Sequence, residues 1–210
     1  MAVWRNCYRL LQLELNHRHT LRIRPIREHF VNVYILRHAS AGTRRANPLI
    51  DVKRPLDKEG KQQCLLVGSY LNALRLQFDL IVSSPLKRAL QTASLVGTET
   101  GYDGKIQVSD ALSPNATVVA FEKMIGELGK HENVLVVGHN PNLPVFLGSL
   151  VSPGRGDSSR RAHIRLRKGA IARVDCTQQP GLLHWLVDPR ILRGVYTRVT
   201  KSSRRKISRK

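Results

Sequence analysis

Three apolar runs in this chain each end in residues suited to holding an anion. Val33-Tyr34-Ile35-Leu36 leads directly into Arg37-His38. Leu80-Ile81-Val82 ends in Ser83-Ser84-Pro85, with Arg88 shortly after. Val134-Leu135-Val136-Val137 ends in Gly138-His139-Asn140-Pro141. Taken singly, each is the ordinary solvated end of a strand or a surface charge. Taken together, they place two histidines and two arginines at corresponding ends of three buried strands. That set suits a phosphoryl group, a dianion whose oxygens match the forked donors of guanidinium. Imidazole adds a group that changes protonation near neutrality. His38 is the residue expected to react with such an anion.

The elements that must position these residues follow from the apolar pattern. "VNVYILRH" (31–38), "FDLIVSS" (78–84) and "NVLVVGH" (133–139) read as buried strands. "DKEGKQQCLLVGSYLNALRL" (57–76) reads as a helix capped by Asp57, with Glu59 in its first turn and Leu65, Leu66, Tyr70 and Leu74 at helical spacing. A second helix is expected from Pro85 after a Ser84 cap, a third over 115–131 and a fourth over 140–151. Residues 39–56 read as a polar loop, 105–112 as a short strand and loop, and 154–169 as a loop entering a strand. "AIARVDC" (170–176) and "LLHWLV" (182–187) read as late antiparallel strands. Strands alternating with helices imply an α/β sheet covered on both faces. In such folds ligands bind beyond the carboxyl ends of the strands, and helix N-termini there favour anions.

The 210 residues fit one domain, and no apolar run has the ~20 residues a membrane span needs. No signal peptide is recognisable at the start. Cys7, Cys64 and Cys176 are odd in number and far apart, which argues against a disulfide framework or a cysteine metal site. A cytoplasmic setting, with no membrane partner, is expected. The net charge of +20 is unevenly spread. Residues 1–30 carry six arginines against Glu14 and Glu28; residues 155–173 carry seven basic groups against Asp157; residues 190–210 carry nine and no acid. The remainder is close to neutral. The expected organisation is a basic extension over 1–30, a catalytic domain over 31–193 and a disordered basic tail over 194–210. The first segment could be an amphipathic arm, a targeting segment or an over-extended start. Glu14, Glu28 and the lack of serine disfavour a transit peptide.

"LRHASAG" (36–42), "SSPLKRALQTA" (83–93) and "VVGHNPNL" (136–143) resemble the signature segments of the histidine phosphatase superfamily. "RHASAG", "DVKRPLDKEG" (51–60) and "LLHWLVDPRIL" (182–192) resemble the SixA-type phosphohistidine phosphatases within it. The resemblance covers about residues 31–193. It implies a three-layer α/β/α sandwich with a mostly parallel central sheet, phosphoglycerate mutase-like. It also implies a mechanism: His38 attacks phosphorus and becomes phosphorylated, and water then releases phosphate. Arg37 and Arg88 would hold phosphoryl oxygens and His139 would stabilise the transition state. Arg54, Asp51 and Asn140 would line the substrate. Neither a metal nor another cofactor is implied. Ala39 stands where the superfamily usually has glycine, and Asp57 where the SixA type usually has threonine, another good cap.

The general acid is open. Asp51 is the candidate by position; the alternative is a loop carboxylate paired with Arg54. The lack of an obvious acid, and of large insertions between Arg88 and His139, favours a phosphohistidine on a protein. The other readings are a phosphomonoesterase of small metabolites on the same fold, and a binder of phosphate or nucleic acid through the basic segments. "RRAHIRLRK" and "SSRRKISRK" would suit non-specific contact with nucleic acid or an acidic surface, but neither contains an aromatic residue for stacking.

Overall fold

The computed structural model describes residues 31–152 and 163–197. The expectations for the extension (1–30) and for residues 198–210 of the tail lie outside the described residues.

The strands are β1 (Asn32–Arg37), β2 (Leu80–Ser83), β3 (Gln107–Val108), β4 (Asn133–Gly138), β5 (Ile171–Asp175) and β6 (Leu182–Val187). The helices are α1 (Pro48–Val52), α2 (Lys58–Ala73), α3 (Lys87–Glu99), α4 (Val118–Glu127) and α5 (Asn142–Val151), with a 3-10 turn at Asp110–Leu112. A further helical stretch occupies 189–197. The sheet order is β3-β2-β4-β1-β5-β6. β1, β2, β3 and β4 run parallel, and β5 and β6 are antiparallel additions at one side.

Strand side chains alternate between two cores, because successive residues of a strand face opposite sides of the sheet. Val33, Ile35, Leu80, Val82, Val134 and Val136 belong to one core, with Phe121 of α4 and Leu143 and Phe146 of α5. Tyr34, Leu36, Ile81, Leu135 and Val137 belong to the other, with Val67 and Leu71 of α2 and Ala93 and Val96 of α3. This is a three-layer α/β/α sandwich. No helix among the described residues is long and apolar enough to cross a membrane.

Four expectations are corrected. The loop over 39–56 contains α1, whose Asn47 side chain accepts the Leu49 N–H at 2.9 Å, with Pro48 next to the cap. α2 turns Cys64, Val67 and Leu71 inward, leaving Leu65 and Leu74 exposed. The sequence offers two apolar stripes on this helix. The chosen one includes Gly60 and Gly68, which permit close approach to the Ser40 backbone and to Glu99 of α3. α3 starts at Lys87 without a side-chain cap; Ser84 Oγ accepts the Leu86 N–H at 3.4 Å ahead of the helix and lies 2.9 Å from His139 Nε2. The chain is helical over 189–197, and residues 194–197 of that helix were expected in the disordered tail. Asp188 accepts the Arg190 N–H at 2.9 Å, as an N-cap does before a proline.

Candidate active site

The register of the parallel strands brings the site together. Arg37 at the tip of β1 is the partner of Gly138 at the tip of β4, and Ser83 at the tip of β2 is the partner of Val137. The residues that follow, His38, His139 and Ser84, are therefore neighbours. The His38 N–H donates to Gly138 O at 3.0 Å and the Ser84 N–H to Val137 O at 2.9 Å. The His38 and His139 ring centroids are 4.9 Å apart.

His38 is buried, with Nδ1 2.8 Å from the Ala39 carbonyl oxygen. A carbonyl only accepts, so Nδ1 carries the proton and Nε2 keeps its lone pair. Burial lowers the His38 pKa; the Ala39 hydrogen bond opposes this, and the charges of Arg88, Arg37 and Arg54 reinforce it, to about 3. At neutral pH the ring is uncharged. Its loop is held on two sides: Ala39 N–H donates to Thr92 Oγ1 of α3, and Ser40 N–H to Gln63 Oε1 of α2. Ala39 is fully buried and lacks the positive φ that would call for glycine.

His139 is also buried. Its Nε2 lies 2.9 Å from Ser84 Oγ. Burial lowers its pKa, as do His38, Arg88 and Arg37, to about 2, with Asp51 opposing. Ser84, expected as a helix cap, thus serves His139, and the sequence carried no signal for that.

Arg37 uses one terminal nitrogen on the Leu166 carbonyl (3.0 Å), which Asn140 Nδ2 also reaches (2.9 Å). Arg88 uses one on the Asp51 carbonyl (3.0 Å) and on Asp51 Oδ2 (3.3 Å). Among the described residues, Arg37 Nε, Arg88 Nε, His139 Nδ1 and Asn140 Oδ1 are the buried side-chain polar atoms without a partner. All four belong to the strand-tip set. Buried groups of this kind are normally satisfied, and three of these are nitrogens suited to anionic oxygens.

Asp51 accepts from Arg54 Nε at 2.8 Å and from the Arg45 N–H at 3.0 Å. Burial raises its pKa, but these hydrogen bonds and the charges of Arg54 and Arg88 outweigh it and hold the carboxyl at about 2. It is ionised at neutral pH with no proton to give. This is the pairing with Arg54 that the sequence left open as the alternative to a general acid. Arg54 also donates to the carbonyls of Ala41 and Gly42, at 2.7 and 3.2 Å.

These residues line a cleft of about 710 Å³ that also includes Arg44, Arg45 and Lys168. Sequence reasoning did not single out those three; only the basic runs around them hinted at it. Among the described residues, six cations thus line the cleft with one carboxylate, itself ion-paired. Among the described residues no three or more His, Cys, Asp or Glu side chains come together to hold a metal ion. The donor set suits an anion.

The model of the histidine phosphatase superfamily (branch 1) matches residues 33–113. An uncharacterised protein of Picosynechococcus is 32% identical over 144 residues, which are 67% of this chain and 82% of the relative. Phosphohistidine phosphatase SixA of Escherichia coli is 28% identical over 126 residues, 59% of this chain and 76% of that protein. A solved structure of the protein histidine phosphatase SixA complexed with tungstate superposes with a TM-score of 0.66 at 25% identity. It covers 77% of this chain and 99% of that one.

Proposed function

The chain belongs to the histidine phosphatase superfamily and is a phosphatase, and from that premise we propose that it hydrolyses phosphohistidine carried on a protein, without a metal, through a phosphorylated His38. The observation that carries the reading is the neutral His38 ring. Its Nδ1 is committed to Ala39 and its Nε2 is free, beside buried, unpartnered nitrogens of Arg37, Arg88 and His139.

In the first step His38 Nε2 attacks phosphorus and the bond to the substrate imidazole nitrogen breaks, its electron pair staying with the imidazole, which takes a proton from solvent. In the second, water attacks the phosphorylated His38 and gives up a proton to solvent, the P–N bond to Nε2 breaks with its electron pair returning to Nε2, and inorganic phosphate leaves. Arg37 and Arg88 bind the phosphoryl oxygens, and His139 Nδ1 lies among the groups that meet charge developing on them. Asn140 and Arg54 line the substrate. Asp51 orients Arg54 and Arg88.

The carboxylate chemistry favours the P–N substrate over an ester. Asp51 is the carboxylate lining this cleft, and at neutral pH it holds no proton for an alkoxide leaving group. Imidazole leaves with less proton donation.

The test is phosphate release from a phosphohistidine protein and from a panel of sugar phosphates, without added metal, for wild type and His38→Ala. Turnover that favours phosphohistidine and depends on His38 is expected. His38-dependent turnover mainly of esters would retain the mechanism and overturn the substrate.

A further inference from the structure

The short helix α1 is anomalous in a packed sandwich. None of its five residues is buried. Leu49, Ile50 and Val52 are 78%, 56% and 45% exposed, three large apolar side chains within little more than one helical turn. The helix is held by polar links: the Asn47 cap, and Asp51 to Arg54 and Arg88. Those same links fix it at the mouth of the cleft, which Pro48 and Val52 line. Arg44 and Arg45, both exposed, precede it, and Lys168 stands on the same cleft. Among the described residues, Asp51 is the acidic side chain lining the cleft, and it is paired with Arg54 and Arg88.

The inner groups already match a phosphoryl dianion, so the outer cations and the apolar helix exceed what a phosphoryl group requires. A small phosphate leaves Leu49 and Ile50, which do not line the cleft, without a role. We propose that α1 with Arg44, Arg45 and Lys168 forms a docking lip for the substrate protein, and that the surface it takes has apolar residues and carboxylates around the phosphohistidine. This rests on the phosphohistidine reading above and adds the chemistry of the partner. Positive charge at the lip selects an acidic surface and speeds encounter. Covering Leu49 and Ile50 supplies the contact that persists.

Two synthetic peptides of equal length test it, one with phosphohistidine flanked by leucine and glutamate, one with phosphohistidine flanked by serine and lysine. Free phosphohistidine is the third substrate, and wild type is compared with the double variant Leu49→Ser/Ile50→Ser. The expected kcat/KM for the leucine–glutamate peptide is about tenfold or more above both other substrates, carried mainly by KM. In the double variant that preference falls several-fold, the part owed to charge remaining, while turnover of free phosphohistidine is unchanged. Equal kcat/KM for the two peptides, or a preference undiminished in the double variant, overturns the docking lip. So does a double variant that loses turnover of free phosphohistidine equally, because α1 would then belong to the pocket. If wild type hydrolyses none of the three, the function on which the lip rests is itself wrong.

Discussion

At the scale of residues, the site works by keeping its two histidines uncharged among arginines. Both are held far below the ordinary value of 6.5, by burial first and by neighbouring cations. In the unfolded chain they take up protons as the pH falls through about 6.5. In the folded chain they do so only near 3 and 2. Between those limits the unfolded state binds more protons, so stability must fall as the pH is lowered from about 6.5. Each histidine contributes a slope that rises toward about 1.4 kcal/mol per pH unit as the pH falls well below 6.5. Urea titrations from pH 7 to 5 in a buffer without phosphate should show this, and His139→Gln should remove about half the slope. An unchanged slope would mean the rings are not buried neutral. Asp51 adds a similar loss only below its ordinary 3.8, outside that range. Catalysis separates the arginines from the carboxylate. Arg88→Ala should lower kcat by roughly a hundredfold or more, as losing a transition-state donor does. Asp51→Asn keeps the acceptor for Arg54 and should lower it by less than about tenfold. Equal losses would return Asp51 to the role of general acid. The strand-tip residues were legible because each apolar run stops at a polar cluster. Arg44, Arg45 and Lys168 were not, because nothing local distinguishes a cleft cation from a solvated one.

At the scale of elements, the segment "DVKRPLDKEG" is explained by how α2 is fastened to the loop that carries His38. Asp57 divides its two oxygens. Oδ1 caps α2 by accepting the Gly60 N–H at 2.7 Å, and Oδ2 accepts Ser40 Oγ at 2.8 Å and the Gly42 N–H at 2.7 Å. Gly60 then lets the helix sit against the Ser40 backbone, where a Cβ would collide with the Ser40 carbonyl oxygen. Asp57→Thr should retain the cap and lose the tether, whereas Asp57→Ala loses both. A capping residue is worth ~1 kcal/mol and each further hydrogen bond about as much. Thermal and urea unfolding should therefore rank wild type above Asp57→Thr above Asp57→Ala, with the threonine variant already impaired in kcat because the 40–42 turn is free to move. If the threonine variant matches wild type in both, the tether carries no weight. The cap was legible in the sequence; the second oxygen's task was not, since it depends on a turn fifteen or more residues away. Two helices were missed although their caps are written in the sequence, as Asn47-Pro48 and Asp188-Pro189. α1 is too short to show a period, and the basic composition after Arg190 masked the helical spacing of Leu192 and Val195.

At the scale of the whole molecule, composition gave a misleading picture of charge. Most of the +20 lies in the terminal segments and the run around 155–173, and the rest of the chain is nearly neutral. Folding nonetheless gathers Arg37, Arg44, Arg45, Arg54, Arg88 and Lys168 from separate stretches around one cleft, with Asp51, among the described residues, the acid that lines it. A nearly balanced body thus presents a concentrated positive field at the carboxyl ends of its parallel strands, where α3 and α5 also begin. Such a field raises the local concentration of an anionic substrate and is screened by salt. The Debye length shrinks from about 20 Å near 20 mM salt to about 6 Å near 300 mM. Across that range kcat/KM for free phosphohistidine should fall several-fold. The fall should lie in KM, because the buried groups proposed to act on phosphorus are little affected by mobile ions. A variant ending at residue 197 should show the same salt dependence, since the cleft cations named here all precede that point. If truncation abolishes the salt effect, the field arises in the basic tail rather than in the cleft. If kcat itself falls with salt, the buried arginines are more accessible to ions than their burial implies.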